Sequence, residues 1–146
     1  RLVAYTETAG GQTHLALVCG KISPRDEVLV RVHEPVSLID VLDTSATSHS
    51  WNLHDAMAEI ARKGRGVVVL LHRSETAAEL LERARPQDER GGPAKIVLRN
   101  YGIGAQILRD LGVKKMRVMA QPLRMPSMAG FDLEVTGYLQ PPGKKV

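Results

Sequence analysis

Five histidines carry most of the metal-ligating and proton-transferring capacity of this sequence: His14, His33, His49, His54 and His72. No two stand at i, i+4, the separation that sets two imidazoles on one helix face around a metal. His33 and His72 each close an apolar run, "VLVRVH" and "VVVLLH". Both therefore fall at the ends of expected strands, where polar residues line clefts in α/β sheets. A satisfied polar cap is the plainer role for each. His49 and His54 are too loosely spaced to define a metal pair. Serine, histidine and aspartate occur without a nucleophile-elbow sequence, so no triad is expected.

Two arginines are candidates for anion binding. Arg31 interrupts a strand of valines, where a charge belongs either on the surface or in a site. The surface is the simpler expectation. Arg99 precedes the glycine pair of "RNYGIGAQILRDLG", and its guanidinium suits bidentate contact with phosphate. The glycines do not complete a dinucleotide fingerprint, because Ile107 stands where a third glycine is needed, and no GK[ST] follows. Gly102 and Gly104 can present amides to an anion at a helix start. Close backbone packing at that start is the favoured expectation.

Bulk properties narrow the classes. The 146 residues fit one domain, 1–146, with room for a core. The net charge of +4 is spread among acids rather than blocked, which suits a phosphate-bearing small molecule. One Trp, one Phe and three Tyr offer little stacking surface, so no nucleic-acid partner is expected. The single cysteine, Cys19, excludes an internal disulfide and sits in "LALVCG", where a buried, inert thiol is expected. The longest apolar run, "VVVLL", is far too short to span a bilayer, and no signal peptide is visible. A cytoplasmic location with no membrane partner follows as the expectation.

The elements that must position these residues read as α/β. "RLVAYTE" and "THLALVCGKI" form a strand pair turned at Gly10-Gly11. "EVLVRVH", Glu27 to His33, is a valine-rich strand. A short helix or strand falls at "VSLIDVL". A helix with the stripe Leu53, Ala56, Met57, Ile60 and Ala61 starts at Ser50 or Asn52 and stops at Gly64. "GVVVLLH" is an apolar run expected to be a central strand covered on both faces. The next helix carries Ala77, Leu80, Leu81 and Ala84, opens with the Thr76/Glu79 capping box and ends at Pro86. "PQDERGGP", residues 86–93, is expected to be a mobile loop, and "KIVL" a short extended piece. A helix on Ile103, Ile107, Leu108 and Leu111 ends at Gly112. "KKMRVMA" is a strand, and "FDLEVTGYL" is an edge or terminal strand.

Taken together, "HLALVCGKI", "VLVRVH", "IARKGRG" before "VVVLLHR", and above all "LRNYGIGAQILRDLGVKKMRVM" resemble the GTP cyclohydrolase II family of riboflavin biosynthesis. The resemblance implies a three-layer α/β fold with a mixed sheet and flanking helices, a homodimer, and a zinc ion that opens the GTP ring. Zinc would activate water and polarise the purine carbon under attack. The family's three cysteine ligands fall here at Val36, Thr47 and His49, so the resemblance implies no cofactor in this domain. Its phosphate-binding "EGR" reads Glu75, Thr76, Ala77, leaving only Glu75. The family's acid two positions before the motif arginine is Val97, while Arg99 is kept. "PQDERGGPAK" replaces a longer loop and helix that carry further nucleotide contacts in the family. The family's Thr-Asn-Asn-Pro run after the basic strand reads Ala120, Gln121, Pro122.

The site residues implied are Arg99 as a residual catalytic group, with Arg31, His33 and Glu75 for substrate. The expected protein is a degenerate, GTP-hydrolysis-deficient domain, kept for dimerisation or regulation. Such domains stand C-terminal to 3,4-dihydroxy-2-butanone 4-phosphate synthase, and a chain that begins inside a strand fits that placement. Two alternatives stay open. One is an active cyclohydrolase with a changed metal site, built from His49, His33 or a neighbouring acid such as Asp40 or Asp43. The other is a sensor of GTP or another phosphorylated small molecule, using Arg31, Arg99 and the helix near Gly102.

Overall fold

The computed structural model describes residues 1–35, 37–42, 49–86, 101–122 and 128–143. Six strands form one mixed sheet: β1 (Leu2–Thr6), β2 (Thr13–Cys19), β3 (Glu27–His33), β4 (Gly66–Leu70), β5 (Lys115–Met119) and β6 (Glu134–Leu139). Their spatial order is β1-β2-β4-β3-β5-β6. β2 runs antiparallel to both of its neighbours, β1 and β4, while β4, β3, β5 and β6 are mutually parallel. Among the described residues four α-helices accompany the sheet: α1 (Leu38–Leu42), α2 (Leu53–Lys63), α3 (Ala77–Ala84) and α4 (Tyr101–Asp110).

The valine runs are strands because both faces of the sheet are covered. Val28, Val30, Val67 and Val69 pack with Ala105, Ile107 and Leu108 of α4. Leu29 and Val68, of opposite parity on the same strands, pack with Trp51, Leu53, Ala56 and Ile60 at and in α2. Period-two alternation thus feeds two cores, and the continuous apolar reading of "GVVVLL" follows. Helices on both faces give the three-layer arrangement expected from the sequence.

Local chemistry sets the helix ends. Asn52 caps α2 by accepting from the Asp55 amide at 2.7 Å, so Ser50 is not the cap. Gly64 closes α2 at φ 77°, where a Cβ would be strained. Thr76 and Glu79 form the reciprocal capping box of α3.

Four expectations need correction. Met57 is exposed, as is Ala61, because only the Leu53, Ala56 and Ile60 stripe of α2 reaches the sheet. No residue of α3 is buried, so the stripe Ala77, Leu80, Leu81, Ala84 packs into neither core. Phe131 lies in a 3-10 turn (Met128–Phe131), and Asp132 at φ 59° ends that turn before the strand starts at Glu134. Cys19 is half-buried and free, at the margin of the α2 core. Most of "PQDERGGP", together with "KIVL", lies outside the described residues.

Candidate functional site

The carboxyl ends of β3, β4 and β5 meet at one edge of the sheet, where α/β folds commonly build sites. Arg31 and His33 share a face of β3 there, the face that α2 covers. Arg31 is only 6% exposed, which overturns the surface expectation. Its charge is tolerated because both terminal nitrogens donate to carbonyls. Nη1 donates to the Met119 carbonyl at 2.9 Å, and Nη2 to the Trp51 carbonyl at 3.0 Å. Nη2 also lies 3.3 Å from His33 Nδ1. The guanidinium therefore ties the end of β5 to the start of α2. Burial lowers its pKa to about 10, so it stays charged at neutral pH.

His33 is 1% exposed. Burial first, then the charges of His49 and Arg31, push its pKa down to about 3. The ring is therefore neutral at pH 7. The Arg31 contact makes Nδ1 the acceptor and places the proton on Nε2. Among the described residues that Nε2 has no hydrogen-bond partner, and neither does Arg31 Nε. The His49 ring stacks on His33 at a centroid distance of 4.4 Å and a tilt of 43°. His49 Nε2 lies 3.8 Å from Asp40 Oδ2. Burial and Arg31 lower the His49 pKa, and Asp40 opposes them.

Asp40 and Glu75 organise the short helix α1. Asp40 Oδ2 accepts from the Ser37 amide at 3.2 Å, and Glu75 Oε2 accepts from the Leu38 amide at 3.1 Å. The other Glu75 oxygen is buried without a partner among the described residues. Glu75 thus holds the start of α1 with one oxygen.

The structure therefore brings Arg31, His33 and His49 together, with Asp40 and Glu75 at the adjoining α1. Arg99, Val36, Thr47 and Asp43 lie outside the described residues. His72 is exposed, two residues past β4, and its amide donates to His14 Nδ1 at 2.9 Å. His14 is buried and bonds Glu7 through Nε2 at 2.5 Å, so both of its ring nitrogens are occupied. Sequence reasoning gave His14 no role, although its parity with buried Ala16 and Val18 on β2 was readable. It also missed Trp51, whose indole donates to the Leu139 carbonyl at 2.9 Å while its own carbonyl receives Arg31. Its apolar bulk just before α2 was the available signal.

The glycine pair at α4 divides. A Cβ on Gly104 would meet Val32 Cγ1 at 3.3 Å, so its absence lets α4 approach β3. A Cβ on Gly102 would meet only Phe131 Cζ at an ordinary 3.7 Å. Close packing explains Gly104 and not Gly102.

Among the described residues, no group of three His, Cys, Asp or Glu is placed to hold a metal. The two imidazoles stack on each other, and a buried guanidinium lies against them, disfavouring a divalent cation. Among the described residues no helix is long and apolar enough to cross a membrane.

The chain was compared with known proteins. The GTP cyclohydrolase II family model matches residues 1–140. The chain is 46% identical over 134 residues to a 3,4-dihydroxy-2-butanone 4-phosphate synthase of Neisseria meningitidis, covering 92% of this chain and 36% of that protein. It is 35% identical over 159 residues to the riboflavin biosynthesis protein RibBA of Bacillus cereus, covering 98% and 40%. A crystal structure of RibBX, a two-domain 3,4-dihydroxy-2-butanone 4-phosphate synthase from A. baumannii, aligns with a TM-score of 0.60 and 31% identity, over 96% of this chain and 35% of that one. The chain thus spans between a third and two fifths of the length of these relatives. With the family's fold and order of elements present from the first strand to the last, the chain belongs to the GTP cyclohydrolase II family.

Proposed function

We propose that this chain is a GTP cyclohydrolase II-like domain of a riboflavin-biosynthesis protein that neither holds zinc nor hydrolyses GTP. The observation that carries this is the Arg31–His33–His49 cluster at the carboxyl edge of the sheet. A guanidinium packs on a neutral imidazole there, and His49 is the only imidazole or thiolate at the three family ligand positions. Val36 offers no donor, and a threonine with a histidine does not remake a thiolate site. Relatives named 3,4-dihydroxy-2-butanone 4-phosphate synthase support a place beside such a synthase, whose reaction would lie outside these residues.

The retained role is scaffolding, as a homodimer or against the synthase. Leu38 and Leu42 on α1 and Leu81 on neighbouring α3 are exposed, an apolar surface suited to association. A GTP turnover assay on the purified protein tests the proposal. No formamide-pyrimidine product is expected, and zinc-dependent product formation would overturn it.

A second reading, ligand sensing without chemistry, is favoured by Arg31 Nε–H and His33 Nε2–H, which have no acceptor among the described residues. Two buried donors without acceptors suit an oxygen-bearing ligand. Calorimetry with GTP separates the two: heat lost in His33→Gln supports sensing, and absence of heat supports the scaffold.

A further inference from the structure

A second polar site lies at the opposite, amino-terminal edge of the parallel strands. It is a cavity of about 590 Å³ on the α2 face of the sheet. Leu29 and Leu139 supply its apolar wall, and Glu27, Lys21, Lys63, Arg65 and Arg117 surround it. Every one of these residues is among those described. The carboxyl-edge cluster sits at the start of α2 and this cavity at its end, separated by roughly the 16 Å length of an eleven-residue helix.

Three features build it. The first is a close backbone approach. A Cβ on Gly20 would lie 2.4 Å from the Gly64 carbonyl oxygen and 3.3 Å from Arg65 Cα. Glycine at this point, with φ 72°, lets the end of β2 lie against the α2–β4 turn, which sets Lys21 beside Lys63 and Arg65. The second is that acids brace the two arginines. Asp26 pairs with Arg65 at 2.9 Å, and Glu27 Oε1 accepts from Arg117 Nε at 3.0 Å. Thr136 donates to the other Glu27 oxygen at 2.6 Å, so that carboxylate is anchored on both sides. The third is a charge surplus. Four cations face two acids, and neither lysine is ion-paired among the described residues.

We propose that this cavity binds a phosphorylated small molecule, with Lys21 and Lys63 contacting the phosphate and Arg65 and Arg117 held in place for it by Asp26 and Glu27. The volume lies in the range of small-molecule sites, and the surplus matches a dianionic phosphate. Braced guanidinium groups lose little freedom on binding, so their contribution is pre-organised. Five charged side chains against two leucines, Leu29 and Leu139, favour a compact anion over an apolar ligand.

Calorimetric titration with inorganic pyrophosphate tests the assignment, with GTP titrated in parallel. Saturable binding at one site per chain is expected, weakened by added salt. Lys21→Ala/Lys63→Ala should weaken it at least about tenfold, and Arg117→Gln severalfold. Arg109→Ala, which removes an exposed cation from α4 on the other face, should leave it unchanged. Both lysines are exposed, so the double variant should melt with the wild type; Arg117→Gln provides an independent reading. Unsaturable heat, or equal affinity in the double variant, would overturn the proposal. GTP binding that the double variant leaves intact would place the nucleotide elsewhere and count against it as well.

Discussion

Arg31 Nη2 lies 3.3 Å from His33 Nδ1, two residues along the same face of β3, and the same guanidinium reaches carbonyls 20 and 88 residues away. A buried cation is thus spent on joining three segments of chain. Arg31→Ala should lower the unfolding free energy by about 2–4 kcal/mol, because it strands two carbonyls and leaves a hole. Arg31→Lys should recover only part, since an ammonium lacks the planar fork. Urea denaturation measures both. A loss below about 0.5 kcal/mol for Arg31→Ala would contradict the structural role.

Burial of the His33 ring, with the neighbouring charges of His49 and Arg31, fixes a pH dependence. His33 has a folded pKa of about 3 against an ordinary 6.5. Between those values the unfolded chain binds the proton and the folded chain does not. The stability this ring contributes is therefore complete above pH 6.5 and is lost as pH falls toward 3. His49, also shifted down, adds in the same direction. In the NMR spectrum the His33 ring should show no titration between pH 5 and 8. His33→Gln should flatten the acid limb of stability against pH; an unchanged limb would reject the assignment.

Two glycines with similar backbone angles should respond differently to alanine. Gly112 has φ 86° and open space around its missing Cβ, so Gly112→Ala meets conformational strain alone, about 1 kcal/mol. Gly20→Ala adds a clash with the Gly64 carbonyl at 2.4 Å and should cost at least about twice as much. Equal losses in thermal unfolding would show that the Gly20 junction is looser than described.

The two well-formed N-caps should also diverge. Asn52 starts a helix packed on the core, so Asn52→Ala should cost about 1 kcal/mol of global stability. Thr76 starts a helix with no buried residue. Thr76→Ala should raise amide exchange within α3 and barely move the global midpoint. A global loss equal to that of Asn52→Ala would mean α3 is coupled to the core.

Much of this architecture was legible beforehand, for physical reasons. Valine alternation from Glu27 to His33, and glycine at position 64, act locally, and β3 and α2 end where those signals fall. Arg31 was misread because one arginine among valines carries no local sign of its acceptors, which arrive from the α2 start and the end of β5. The α3 stripe shows the opposite failure: periodicity reports an apolar face without reporting whether anything covers it. At the candidate site, His33 and Glu75 were picked out by resemblance, whereas the stacking of His49 on His33 depends on a fold-level contact that spacing does not encode.

The central claim is that the family's metal site has been replaced by an arginine-held histidine pair. Metal content of the protein, purified from zinc-supplemented cells and measured by inductively coupled plasma mass spectrometry, tests this most directly. The account predicts zinc far below one equivalent, roughly a tenth or less per chain. About one zinc per chain, released together with stability on chelation, would contradict it.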